Sequence, residues 1–341
     1  AEILEVRRRR EHAKPPTLFD LTGLQKAMSE RHGLTAEQTL DCLQHLYEMK
    51  VATYPRTDSK YITHDDVDGL KELLQPKYAL GFLDQKPVEA VHDLYSAGGF
   101  DPMRCVADDK VQGHTAILPT RRLTYDVFQH DLTDMEREVI AVILTRMWSA
   151  CATDRVHDTV KVEAVLDERH ADGSMERVPL SASSDVTVEA GWTAIEGTSR
   201  TDDAEKKPVN RIPDSLGKGP LPQSGAPSLT EGVSSPPKPF TEATLLSAME
   251  HASRFVADSD LKAALDDDTS HSGGIGTPAT RAGILESLVK SGYLQRKGKQ
   301  LRSTPAGRML VGVAIDELKD VKLTAQWEQS LADIEQGKGD E

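Results

Sequence analysis

The chain has 341 residues, of which 38% are hydrophobic and only 5% aromatic, so its cores must be built from aliphatic side chains, and its length suits two or three domains. The formal net charge of −14 excludes a uniformly basic nucleic-acid coat and leaves only local basic segments for anion contact, such as "EVRRRREHAK" (5–14) and "LQRKGKQLRS" (294–303). No apolar run reaches the roughly 18 residues of a membrane span, and Cys42, Cys105 and Cys151 lack the CxxC spacing of a zinc ribbon and suit a reducing cytoplasm.

In chain order, Ile3, Leu4 and Val6 begin a strand that turns basic and stops at Pro15 and Pro16. Thr22 is placed to cap a short helix from Gly23 to about Glu30, which Gly33 ends. Thr35 and Gln38 form a capping box for a helix with Leu40, Leu43, Leu46 and Tyr47 on one face. Thr63 and Asp66 cap the next, "DDVDGLKELL" (65–74). Residues 75–110 read as loops with one short helix, and "GHTAILPT" (113–120) as a loop beside a strand. Thr133 and Glu136 open the long apolar helix "DMEREVIAVILTRMWSAC" (134–151). From Arg155 the period changes to two: "RVHDTVKVEAVLDE" (155–168) and "VTVEAGWTAIEGT" (186–198) alternate as strands, with a hairpin turn at Asp172-Gly173. Residues 199–239 are rich in Pro, Gly and Ser and read as loops with short strands. Thr241 caps "FTEATLLSAMEHASRFV" (240–256), and Pro278 starts "TPATRAGILESLVKSGYL" (277–294) at its first helical position. The basic hairpin and helix start that follow complete the plan of a winged helix. The fold class is mixed α and β. Residues 1–15 and 153–238 form a β domain interrupted by a helical domain at 16–152, and a second helical domain follows at 239–341.

The segment with chemistry to offer is "ATYPRTDSKYIT" (52–63). A residue before proline is pushed out of the α region, so Tyr54 is extended, and Arg56 two positions on shares its side. A phenol with pKa about 10 is only about 0.1% ionised at pH 7, and ionising it costs roughly 4 kcal/mol. One arginine at ~4 Å offsets on the order of 1–4 kcal/mol of that. Arg56 can stabilise charge developing on a phosphate but cannot give up a proton. A lone Tyr-Pro is more often a turn or packing feature, and the local spacing leaves both readings open.

The whole string decides between them. "TYPRTDSKYIT" resembles the active-site motif of type IA DNA topoisomerases, and "LYE…TYPRTDS" is closest to their topoisomerase III branch. "PPTLFDLTGLQKAMSERHGLTAEQTLDCLQHLYE", "GHTAILPT", "PPKPFTEATLLSAMEHASRF", "GGIGTPATRAGILESLVKSGYL" and "LTAQWEQSLADIEQGK" resemble further segments of that family in the same order. The resemblance implies a toroidal arch, with the β domain and the tyrosine-bearing helical domain followed by part of a later helical domain. It implies that Tyr54 attacks single-stranded DNA to form a 5′-phosphotyrosyl link, assisted by Arg56 and by His114, which helps to place the phosphate or the tyrosine. Asp58 and Ser59 complete the motif and are counted among its DNA-binding residues, with local hydrogen bonding expected. Gly113 and Thr115 depart from the family's usual residues beside the histidine.

Thr277, Thr280 and Arg281 lie at a helix start, where exposed N–H groups favour a phosphate; the resemblance makes them DNA-backbone contacts, while simple capping explains Thr277 equally well. The family also uses a Toprim domain whose acidic cluster binds Mg²⁺. The one dense acidic run here, "LDDD" (265–268), lies in a polar loop and is not read as that site. The chain is therefore expected to be a fragment holding no metal, inactive alone in relaxing DNA, monomeric, and partnered by single-stranded DNA with no membrane contact. A single-stranded DNA-binding module without chemistry and a purely structural arch are the alternatives.

Overall fold

The computed structural model describes residues 1–170, 172–197, 211–221, 231–266, 274–335 and 337–338. Its elements in order are β1 (Glu2–Ala13), α1 (Leu21–His32), α2 (Ala36–Glu48), α3 (Val67–Leu73), α4 (Gln85–Ser96), α5 (Asp134–Cys151), β2 (Arg155–Arg169), β3 (Met175–Glu189), α6 (Thr193–Glu196), β4 (Gly219–Pro220), α7 (Glu242–Glu250), α8 (Ser259–Asp266), α9 (Pro278–Lys290), β5 (Leu294–Lys297), β6 (Gln300–Ser303), α10 (Pro305–Val313), α11 (Asp316–Lys319) and α12 (Val321–Glu335). They fall into two compact units. One comprises residues 1–16, 84–101 and 148–236, the other 17–83, 102–147 and 237–341. Much of the 199–239 stretch, and residues 267 and 268 of the acidic run, lie outside the described residues.

The first unit is built on an antiparallel sheet of order β3-β2-β1-β4. Ile3, Val162 and Ala164 are its buried centre, packed with Val6, Val160, Ile212 and Leu216. A register shift between Ile3 and Glu5 explains the spacing: a bulge inserts one residue, so Ile3 and Val6, three apart, can serve one face while Leu4 is exposed. The basic run of β1 is largely spent on its own unit. Arg7 pairs with Glu5 at 2.6 Å, Arg10 with Asp158 at 2.8 Å, and Arg8 donates to the carbonyls of Pro213, Asp214 and Leu216 at 3.0–3.1 Å.

The alternation in 186–198 predicts a strand throughout, yet β3 stops at Glu189 and α6 follows. Gly191 is the reason. Its φ is +50°, and a Cβ there would run into the Asp154 carbonyl. The chain is thereby turned back so that the Trp192 N–H donates to the Thr153 carbonyl at 3.0 Å and its indole N–H to the Ala13 carbonyl at 3.0 Å.

The second unit packs α2, α7 and α9 through Ala36, Leu246, Met249, Ala282 and Leu285. The capping box of Thr35 and Gln38 starts α2, and Thr133 and Glu136 exchange the same bonds at α5. At α1 the cap differs from the expected Thr22. Asp20 Oδ1 accepts from the Gly23 N–H at 2.7 Å, which starts the helix two residues earlier. Thr22 is fully buried and holds an arginine instead. The helix expected to run through 256 ends at Glu250, followed by a 3₁₀ turn at Ala252–Phe255. Helix α9, the turn at Gly292 and the β5–β6 hairpin follow the helix-then-hairpin plan read from the sequence.

Gly274 lets the chain pass the end of α7: its φ is +96°, and a Cβ would meet the Met249 and Glu250 carbonyls inside contact distance. Gly274→Ala should lower unfolding free energy by about 3 kcal/mol in urea titrations. Gly283→Ala, inside α9 with open space around it, should raise it by about 0.5–1 kcal/mol.

Candidate active site

The segment that carries Tyr54 leaves α2 through a tight reversal. Lys50 takes a left-handed φ of 63°, and the N–H groups of Val51 and Ala52 both return to the Leu46 carbonyl, at 2.8 and 3.2 Å. The chain then lies against "GHTAILPT". Thr53 donates its N–H to the Leu118 carbonyl at 2.9 Å. Its hydroxyl donates to the Ala116 carbonyl at 3.0 Å and accepts from the Leu118 N–H at 2.9 Å. Further on, the Ala116 N–H donates to the Tyr61 carbonyl at 2.9 Å, and the buried Thr57 hydroxyl donates to the His114 carbonyl at 3.3 Å. A third anchor is the Leu21 N–H at the start of α1, which donates to the Thr57 carbonyl at 3.1 Å.

This pairing brings together two motifs sixty residues apart in sequence. The Tyr54 ring stacks on the His114 imidazole with centroids 4.0 Å apart and planes 24° from parallel. The Tyr47 ring meets Tyr54 edge-on at 5.6 Å. Arg56 donates to Gln44 Oε1 at 2.7 Å, and the amide nitrogen of Gln44 donates to Glu48 at 2.8 Å. Gln44 and Tyr47 are three apart on α2 and so share a face. The two side chains that an extended Tyr-Pro-Arg puts on one side therefore both meet that face. Arg56 and His114 are exposed and Tyr54 half-buried, so an anion can approach the arginine while the ring is held. Gly113, one of the departures noted above, has φ +84°; a serine or alanine there would strain the turn that delivers His114.

The rest of the motif is local. Asp58 is exposed. Ser59 is buried; its N–H donates to the Thr57 hydroxyl at 3.1 Å, and its own hydroxyl donates to the Tyr61 carbonyl at 3.1 Å.

The helix-start group lies apart in sequence and has different partners. Thr277 and Thr280 are exposed and cap α9, the Thr277 N–H donating to the Thr280 hydroxyl at 2.9 Å and that hydroxyl donating back to the Thr277 carbonyl at 3.2 Å. Arg281, expected on a DNA backbone, is 1% exposed. It donates to the Thr22 hydroxyl and the Ile275 carbonyl, both at 3.1 Å. Burial lowers its pKa, opposed by the charges of Glu250 and Asp20. Its guanidinium thus serves the interior.

Among the described residues no three His, Cys, Asp or Glu side chains are grouped as a metal ion would need.

Sequence reasoning missed Gln44, Thr53 and Thr57, because their roles depend on pairings between distant segments. Thr53→Val keeps the side-chain shape but strips both hydroxyl bonds, leaving the Ala116 carbonyl and Leu118 N–H short of a partner. A loss of about 1–3 kcal/mol is expected in denaturant titration.

The whole chain, residues 1–341, matches a family model described as DNA topoisomerase. A DNA topoisomerase 3 of Bacillus subtilis (strain 168) is 32% identical over 340 residues, covering 99% of this chain and 44% of that protein. One from Shouchella clausii (strain KSM-K16) is 35% identical over 329 residues, covering 95% and 41%. The chain thus spans less than half the length of these relatives. Among solved structures, full-length topoisomerase I from Thermotoga maritima superposes with a TM-score of 0.65 at 18% identity, over 98% of this chain and 49% of that one. With the mixed α and β fold matched along its length and topoisomerase III homologues over nearly every residue, the chain belongs to the type IA DNA topoisomerase family.

Proposed function

We propose that this chain supplies the nucleophile half of a type IA topoisomerase, with Tyr54 as the attacking residue. The observation that carries the reading is the stack of Tyr54 on His114, with the exposed Arg56 held at Gln44 of α2. The phenolic oxygen forms a bond to phosphorus and the bond to the 3′ oxygen breaks. The products are a 5′-phosphotyrosyl link and a 3′ hydroxyl. The phenol loses one proton and the leaving oxygen gains one. Arg56 cannot carry that proton and instead offsets charge on the phosphoryl oxygens. His114 holds the ring and borders the phosphate. Reversal of the step rejoins the strand, and passage of a second strand through the break relaxes or decatenates DNA in the complete enzyme, whose ring-forming arch belongs to this same proposal.

No step is routed through a metal. Magnesium is assigned to residues in the part of the relatives' length that this chain does not span. The chain alone binds single-stranded DNA and does not relax it, its cationic contacts confined to local basic segments by the overall acidity. Exposed Thr277 and Thr280 remain proposed DNA contacts, with Asp58 beside the scissile region.

Wild-type chain and Tyr54→Phe should bind a single-stranded oligonucleotide equally in fluorescence anisotropy. A denaturation-resistant DNA adduct should form only with Tyr54 intact and with the Toprim region of a homologue added. Relaxation of supercoiled plasmid by this chain alone with magnesium would refute the division of labour. An adduct on the Phe variant would refute Tyr54 as nucleophile.

A further inference from the structure

Six residues beyond Tyr54, the side chain of Lys60 enters a mixed-charge cluster that the proposed chemistry does not use. Its ammonium lies 3.5 Å from Glu250 Oε1 and 3.7 Å from Asp20 Oδ2. The other oxygen of Glu250 takes Lys26 at 3.0 Å. Arg281 stands in the same field, interacting with both carboxylates. The cluster draws on four separate segments of one compact unit: the start of α1, the Tyr54 loop, the end of α7 and the first turn of α9.

Burial decides how such a cluster behaves. Asp20 is 4% exposed, and burial raises its pKa against the pull of Lys60. Burial would also raise Glu250, but the hydrogen bond from Lys26 and the charges of Lys26 and Lys60 outweigh it and hold the carboxyl below its usual range. Glu250 is therefore held as a carboxylate by Lys26 and Lys60, whereas burial dominates at Asp20, and removal of either cation leaves Glu250 short of a counter-charge. The backbone anchors of the loop sit on either side of Tyr54, at Thr53 and Thr57. Beyond Ser59 the loop is tied to α7 by the Lys60 side chain.

We infer that Glu250 and Lys60 are positioning residues for Tyr54: their ion pair sets the loop so that the phenol lies flat on His114. The catalytic consequence rests on the reading of Tyr54 as nucleophile, whereas the ring contact does not. Arg281, from the motif expected to touch DNA, joins the same device, so α9 and the loop are braced by one set of charges.

The test is NMR of the 341-residue chain. Tyr54 stacked on His114 should shift the His114 ring protons upfield. In Lys60→Met and Glu250→Gln that shift should be at least halved, while Lys60→Arg retains it. Leu265→Ala, in the separate core of Val256, Leu265 and Ala325, controls for general destabilisation and should also retain it. In the adduct assay above, the first two variants should lose about tenfold or more in rate without a matching loss of oligonucleotide affinity. An unchanged His114 shift in both variants, or an equal loss in Leu265→Ala, would overturn the inference. If the shift is lost as expected and no adduct forms even in the unaltered chain, the positioning stands and the nucleophile reading falls.

Discussion

The hydroxyl of Thr53 is a small group on which the site depends. It donates to one carbonyl and accepts from one N–H of the segment 116–118. A threonine so used behaves as an extra backbone unit, stitching two irregular segments where neither offers a regular ladder. The stitch sits one residue before Tyr54 and two residues after His114, so any slip in it carries directly to the ring stack. Buried polar groups of irregular segments must find partners. Here that requirement fixes which loop lies against which, and the stack of phenol on imidazole follows.

Charge does different work from what its total suggests. The chain is strongly acidic, yet its arginines are the residues that organise it. Arg8 gathers three carbonyls of the 213–216 turn, Arg296 joins Glu242 and Glu286 at 2.8 Å, and Arg281 is enclosed. A guanidinium offers several donors in a fixed fork, which suits it to collecting irregular carbonyls and paired carboxylates. Of these, Arg281 is withdrawn from the surface, while Arg8 stays exposed. Arg56 is exposed with a neutral side-chain amide as its partner, and that partner competes with an anion far less than a carboxylate would.

Legibility followed the range of the interactions. The capping boxes at Thr35 and Thr133 and the period-two run of β2 were readable because their causes lie within a few residues. The end of β3 was not, since Gly191 is forced by the carbonyl of Asp154, thirty-seven positions away in the chain. The cap of α1 was misread for a related reason. Thr22 has the right chemistry for a cap, but Asp20 reaches Gly23, and Thr22 is taken by Arg281. At the site, Tyr54, Arg56 and His114 came from motif resemblance. Gln44 and Glu250 carry no local pattern and reach the loop only in the folded chain, and the partners of Lys60 lie on other segments.

Arg281 shows how a motif can be recognised while the task of one of its residues is misjudged. A cation at a helix N-terminus opposes the helix dipole, so an exposed arginine there needs an anion to hold it. A passing DNA phosphate is one candidate, and the buried Asp20 with the partly buried Glu250 is another. The carboxylates of Asp20 and Glu250 are present in every molecule and act on the guanidinium whether or not DNA is bound. The guanidinium therefore goes inward, and the hydroxyls of Thr277 and Thr280 are left as the exposed polar face of that helix start. A strand contact there would be made by neutral donors and backbone N–H groups. Such a contact would add little salt-sensitive affinity, because it neutralises no phosphate charge.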